Sequence, residues 1–244
     1  MAGHSKWANI KHRKAKGDAQ RAKIFTKIGR EIAVAVKQGG SDPEVNSRLK
    51  DAITKAKANN MPGENIQRSI KKAAGELSSI NYESITYEGY GVSGAAVIVE
   101  CLTDNKNRTV GDIRHYFDKY GGSLGAQNCV SFMFDRKGVV TLERGPDMSE
   151  DQFIEDALEA GADDVETEDD VFVIYCDPAG LSQVKGSLEK KYSISEAEID
   201  YFPQTTVKLE GENLEKFLKM IECFEDLDDV QNVYHNIELP EEAE

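Results

Sequence analysis

The spacing of apolar residues changes along this chain, and each change marks an element. From about Asp18 the spacing is helical: Ile24, Phe25, Ile28, Ile32, Ala35 and Val36 fall on one face. Gly39-Gly40 stops that helix. A second helix is expected to open at Ser41-Asp42-Pro43-Glu44, where an acid precedes a first-turn proline, and to end at Asn59-Asn60 with Leu49, Ile53 and Ala56 turned inward. A third starts at Pro62, buries Ile66, Ile70 and Ala73, and stops at Gly75. Three short helices with short connections predict a small helical domain.

After a polar linker at 76–81 the period becomes two. Residues 84–90 and 94–102 read as strands, 107–120 as a helix burying Val110, Ile113 and Phe117, and 129–134 as another strand. Residues 137–202 then read as strand (138–142), helix (149–160), short strand near Val165, strand (171–176), helix (178–190) and strand (194–201). That β-α-β-β-α-β order predicts a ferredoxin-like domain, and Ser149-x-x-Gln152 caps its first helix. The tail, 205–239, adds strand, helix and strand, too little for a sheet of its own. Joined to 94–134 it completes a second ferredoxin-like sheet. The expected fold class is therefore α+β: an N-terminal three-helix domain followed by two ferredoxin-like α+β domains, one inserted in the other. The boundaries expected are 1–78, 79–136 plus 205–240, and 137–204 for the insert.

Charge adds what periodicity does not show. The 244 residues carry a formal net charge of −14, which by itself argues against a polyanionic partner. Its distribution reverses that argument. Residues 1–75 hold 17 Lys and Arg against 6 Asp and Glu, a net of +11, so the remaining 169 residues carry −25. The insert is strongly acidic, with 5 Lys and Arg against 18 Asp and Glu over 137–204. A segment this basic attracts nucleic acid and gains from counterion release. The alternative is that the basic helices dock on the acidic remainder of the same chain.

The candidate contacts form two groups. Residues 1–17 read as an arm without sustained apolar periodicity, and His4, Ser5, Lys6, Trp7, Lys11, His12, Arg13, Lys14 and Lys16 lie along it. Its cations suit phosphates, which fix position without reading sequence. Trp7, the single tryptophan, suits either stacking on an unpaired base or anchoring the arm on protein. Arg21, Lys23, Lys27 and Arg30 continue this charge along the first helix, the last three at i, i+4, i+7 on the face away from its apolar stripe. A second, possible anion site is Asn105, Asn107, Arg108 and Thr109, between a strand and a helix start where backbone N–H groups point outward; Asn and Thr are equally ordinary caps there. The third helix also offers Gln67, Arg68, Lys71 and Lys72, without a clear groove-reading helix-turn-helix.

Other classes find little support. The four cysteines are at least 28 residues apart and form no Cys-x-x-Cys, so buried free thiols are expected, with no metal and no cofactor. The sequence has no phosphate loop, nucleophile elbow or His-Glu-x-x-His, and its four histidines are scattered. The first ten residues lack an apolar signal core, and no apolar run is long enough to span a bilayer. A non-enzymatic, cytoplasmic protein with no membrane partner is expected.

Several strings are specific enough to carry a resemblance: Met1 through Lys14, Lys23-Ile24-Phe25-Thr26-Lys27, Asn59-Asn60-Met61-Pro62, Tyr87-Glu88-Gly89-Tyr90-Gly91, and Glu100 through Thr109. In them the chain resembles the YebC/PmpR family, continuously through the first two expected domains and more loosely through the acidic insert. The resemblance implies an N-terminal helical domain, two α+β domains and a role in gene expression. Members are described both as DNA-binding transcriptional regulators and as ribosome-associated factors that ease stalled peptide synthesis. The partner expected is thus nucleic acid, either DNA or ribosomal RNA, with the ribosome itself as the alternative target.

Overall fold

The computed structural model describes residues 18–75, 81–146, 148–168 and 170–238, with side chains from Arg21 onward. It is α+β, and the described residues fall into two compact units. One unit runs up to Phe134 and resumes at Pro203; the other is Asp135–Phe202.

The first unit opens with α1 (Asp18–Gly39), α2 (Ser47–Ala58) and α3 (Gly63–Ala74). Ile28, Ile32 and Val36 of α1 meet Leu49 and Ala56 of α2 and Ile66 and Ile70 of α3 in one core, as the helical periodicity expects. The second helix begins later than the sequence suggests, because Asn46 and not Asp42 caps it. Asp42 instead closes a turn, accepting the Glu44 N–H at 3.0 Å. The Asn46 side-chain oxygen accepts the Leu49 N–H at 3.0 Å, while its amide donates to the carbonyls of Ala35 at 2.8 Å and Gly40 at 2.7 Å. One buried side chain thus satisfies the end of α1 and the start of α2, both of which leave backbone groups without intrahelical partners. The close approach explains Gly39: a Cβ there would lie 2.7 Å from the Asn46 amide.

The same unit continues with β1 (Glu83–Tyr90), β2 (Ala96–Thr103), α4 (Lys106–Lys119) and β3 (Ser123–Leu124). The second unit holds β4 (Phe134–Glu143, beginning one residue before it), α5 (Glu150–Ala160), β5 (Asp164–Thr167), β6 (Val171–Cys176), α6 (Leu181–Leu188) and β7 (Glu196–Pro203). The chain then returns to the first unit with β8 (Val207–Lys208), α7 (Gly211–Asp226), β9 (Val230–His235) and β10 (Ile237–Glu238).

Each unit is built on a four-stranded sheet. In the first the order is β3-β1-β2-β9, with the β1–β2 hairpin central and antiparallel neighbours on both sides. Helices α4 and α7 cover it through Ile113, Phe117, Phe217, Met220 and Phe224, packed on Val97, Val99 and Cys101. In the second the order is β5-β6-β4-β7, which a ferredoxin-like β-α-β-β-α-β chain produces. Phe153 and Ala157 of α5 and Val184 and Leu188 of α6 pack on Val140, Leu142, Phe172 and Ile174 from one side of that sheet. Ser149 caps α5 as its sequence implies, 3.5 Å from the Gln152 N–H.

The strand expected at 129–134 is instead a loop with a single 3₁₀ turn, Ser131–Met133. The buried carboxylate of Glu88 on β1 accepts the N–H groups of Asn128, Val130 and Ser131, each at 2.9 Å. Those donors are then unavailable to a ladder, and β4 begins only at Phe134.

Replacing Asn46 by Ala removes the cap and leaves two carbonyls unpaired. The expected loss is about 2 kcal/mol, read as a lower urea midpoint; a change under about 0.5 kcal/mol would show that solvent replaces all three bonds.

Candidate nucleic-acid interface

The basic face of α1 is directed at the chain's own acids. Lys23 pairs with Asp226 at 2.6 Å, the Lys27 ammonium donates to the Glu225 carbonyl at 2.8 Å, and Arg30 donates to the Leu102 carbonyl at 3.2 Å and to Asp229 at 2.5 Å. All four partner residues lie at or just beyond the C-terminal end of α7 or at the end of β2. That end of α7 needs cations. It is the negative pole of the helix, it carries Glu225 and Asp226, and its own last turn has no basic residue. The i, i+4, i+7 spacing of Lys23, Lys27 and Arg30 supplies that charge from α1. The alternative left open by the sequence, docking of basic helix on acidic body, describes these three residues. Their strengths differ: Lys23–Asp226 is solvent-exposed and contributes at most about 1 kcal/mol, whereas Arg30 and Asp229 are largely buried.

The loop after β2 meets the same carboxylate. Asn105 caps α4, accepting the Arg108 N–H at 3.1 Å. The Arg108 guanidinium donates to Asp229 through Nε at 3.2 Å and Nη2 at 2.7 Å, and also pairs with Asp104 at 2.8 Å. Thr109 donates to Asp229 at 2.7 Å, and Thr103 lies 3.1 Å from it. Of the four residues expected to hold an outside anion, Arg108 and Thr109 contact an anion of the same chain, Asp229, while Asn105 serves as the helix cap. Asn107 is exposed on the first turn of α4 and takes no part. Burial raises the pKa of Asp229, but hydrogen bonds from Arg108, Thr109 and Arg30 outweigh it and leave the carboxyl below its ordinary value. Beside this cluster lies a recess of about 300 Å³ lined by Thr109, Asp112, Asp226, Leu227, Asp228 and Asp229. Its carboxylates repel phosphate.

Outward charge is found elsewhere on the helical segment. Gln67, Arg68, Lys71 and Lys72 are exposed on α3, opposite the buried Ile66, Ile70 and Ala73, and Lys57 is exposed on α2. The sequence carried this signal as a polar face on a strongly amphipathic helix, but gave no means of ranking it above the α1 stripe. Arg21 is exposed near the start of α1. The arm residues His4, Ser5, Lys6, Trp7, Lys11, His12, Arg13, Lys14 and Lys16 lie outside the described residues. Among the described residues the four cysteines are free, no group of three or more His, Cys, Asp or Glu side chains is placed to hold a metal ion, and no helix is long and apolar enough to cross a membrane.

A basic three-helix segment joined by ion pairs to an antiparallel sheet, with an acidic unit of ferredoxin order inserted, defines the class of α+β protein to which this chain conforms. Comparison with known proteins narrows it. Residues 5–76 match the TACO1/YebC protein N-terminal domain and residues 82–237 the TACO1/YebC second and third domain. The chain belongs to the TACO1/YebC family. It is 60% identical over 97% of its length to a protein of Acetivibrio thermocellus named probable transcriptional regulatory protein, covering 98% of that protein. A relative of the same general name from Hathewaya histolytica is 52% identical, with 99% of this chain and 98% of that one covered. A crystal structure of a conserved hypothetical protein from Aquifex aeolicus superposes with a TM-score of 0.82 at 49% identity, covering 98% of each chain.

Asp229→Asn leaves Arg30 and Arg108 facing no carboxylate and is expected to cost about 3 kcal/mol near neutral pH. Because the folded-state pKa is depressed, the stabilisation is whole above the ordinary carboxylate range and is lost as pH falls through the lowered value. Chemical denaturation across pH should show wild type and variant converging in acid. Parallel curves would mean that the carboxylate charge is not what stabilises the cluster.

Proposed function

We propose that this protein is a nucleic-acid-binding regulator of gene expression, acting by binding and not by catalysis, with the N-terminal arm and the outward face of α3 as its contacts. The carrying observation is the pairing of a +11 charge over residues 1–75 with an α3 whose Arg68, Lys71 and Lys72 face solvent. Lys23, Lys27 and Arg30 take the part of a clamp that holds the helical segment on the sheet. The relatives' names point the same way, since they describe regulation of transcription.

The binding reading is supported by the chemistry of the thiols. Burial first, and the nearby Asp229 second, push Cys101 up to about 12, far from a reactive thiolate.

If the arm and α3 contact about six phosphates, log affinity should fall with log salt at a slope of about −4 to −5. Fluorescence anisotropy with labelled duplex DNA and with structured RNA measures it. Alanine at Lys11, Arg13 and Lys14, or at Arg68, Lys71 and Lys72, should weaken binding and flatten the slope by about one unit per lost contact, whereas Lys23→Ala should leave the slope unchanged. A salt-independent affinity would sink the electrostatic reading. Cosedimentation with ribosomal particles that is lost on removing residues 1–16 would place the target on the ribosome.

A further inference from the structure

The loop that follows β3 presents an aromatic ring to solvent. Phe132 is 69% exposed, and it is the one aromatic among the large apolar side chains that the described residues leave exposed. Val130 and Phe134 on either side of it are buried, which pins the backbone at both ends of the 3₁₀ turn. Hydrogen bonds hold the rest of the loop. The Glu88 carboxylate takes the N–H groups of Asn128, Val130 and Ser131. The Gly125 N–H donates to the Glu88 carbonyl at 2.8 Å, and the Tyr90 hydroxyl donates to the Cys129 carbonyl at 2.8 Å. The Met133 N–H closes the turn on the Val130 carbonyl at 2.9 Å. A ring on a loosely held loop can fold back onto apolar surface. On this loop it stays in water, at the cost of its apolar area.

The surroundings of the ring narrow its ligand. Residues 121–134 include no charged side chain, in a chain that is 30% charged, so an ionic group is not what this loop recognises. The exposed residues that share the loop with Phe132 are Gly125, Ala126, Gln127 and Asn128. Asn128 sits at a left-handed φ of 64°, and its N–H reaches the same carboxylate as that of Ser131, which draws the two sides of the loop together. A protein partner would need an apolar patch around the ring to bury a stable interface, and none of the four residues supplies one. An unpaired nucleobase asks for less. Its flat face stacks on one aromatic ring, and its edge presents donors and acceptors that amide side chains can meet from either end. A base inside a duplex offers neither, because its faces are stacked and its pairing edge is occupied.

We propose that the loop of residues 125–133 is a stacking site for an unpaired nucleobase, with Phe132 against the face of the base and the amides of Gln127 and Asn128 at its edge. The proposal rests on the nucleic-acid reading and adds the kind of target: RNA or DNA with an open base, and not a continuous duplex. The two contacts then differ in what they require. The cations of α3 meet phosphates, which any nucleic acid supplies. The loop requires a base free of its partner, and it is rigid before the ligand arrives, so little ordering cost falls on binding.

The test is fluorescence anisotropy of the full chain with four probes: a stem-loop with unpaired loop bases and a blunt duplex of the same length, each made as RNA and as DNA. Phe132→Ala should weaken stem-loop binding by roughly tenfold to a hundredfold. It should leave blunt-duplex affinity and the salt slope unchanged, and circular dichroism as well, since the ring is exposed. Phe132→Trp should bind the stem-loop at least as tightly as wild type. Phe132→Leu should behave as alanine does, because it fills space without a π-face. Whichever stem-loop, RNA or DNA, shows the loss is the source of the base. Stem-loop affinity indifferent to Phe132→Ala, with the salt slope intact, would overturn the stacking site and leave the electrostatic reading standing. Full binding by Phe132→Leu would overturn it in favour of plain apolar contact. Failure of the wild type to bind any probe at low salt would overturn both readings together.

Discussion

A carboxylate taken out of water must be repaid in hydrogen bonds and opposite charge, and in the first unit that requirement falls on Asp229. Its side chain is 9% exposed and is met by Arg30 from α1, Thr103 from the end of β2, and Arg108 and Thr109 from the first turn of α4. Its own carbonyl accepts the Leu102 N–H at 2.7 Å, which sets β2 against the chain entering β9. Removing any one partner leaves the others around an under-compensated charge. The cluster therefore specifies an arrangement more than it adds stability: it fixes where the helical segment meets the sheet.

This changes what the charge asymmetry means. A surplus of cations at one end of a sequence reads most simply as a surface for a polyanion. Part of that surplus here neutralises the negative pole of α7 and the acids that follow it. The outward remainder on α3 is smaller, and it is carried on a rigid helix whose opposite face is core. Net charge over a segment thus overstates its binding face, and the direction of each side chain has to be known before its charge is assigned to a partner.

The local features were legible. The apolar stripe of α1, the Ser149 cap, the α4 boundaries to within one residue and the ferredoxin order of the insert all follow from signals within a few residues of one another. What the sequence hid is set by distant partners. Glu88 reads as one polar position of an alternating strand, and nothing near it announces that it will take three N–H groups some 40 residues later. Asn46 competes with Asp42 as a cap, and only the position of the Ala35 and Gly40 carbonyls decides between them. Asp229 lies 199 residues from Arg30 and 121 from Arg108, so the string around Arg108 showed a place for an anion without showing which one.

The insertion also orders events in time. At its neck the Gln204 N–H donates to the Met133 carbonyl at 2.9 Å, so the chain leaves the first unit and comes back to it at nearly one point. Everything between those residues is synthesised before α7, β9 and Asp229 exist. A growing chain holds β1 and β2 with one edge unpaired and Arg30 and Arg108 without their carboxylate, while the whole of the inserted unit emerges and is free to fold. The N-terminal part of the molecule is made first and finished last, and until Asp229 arrives it must be kept from pairing its bare strand edge with a neighbour.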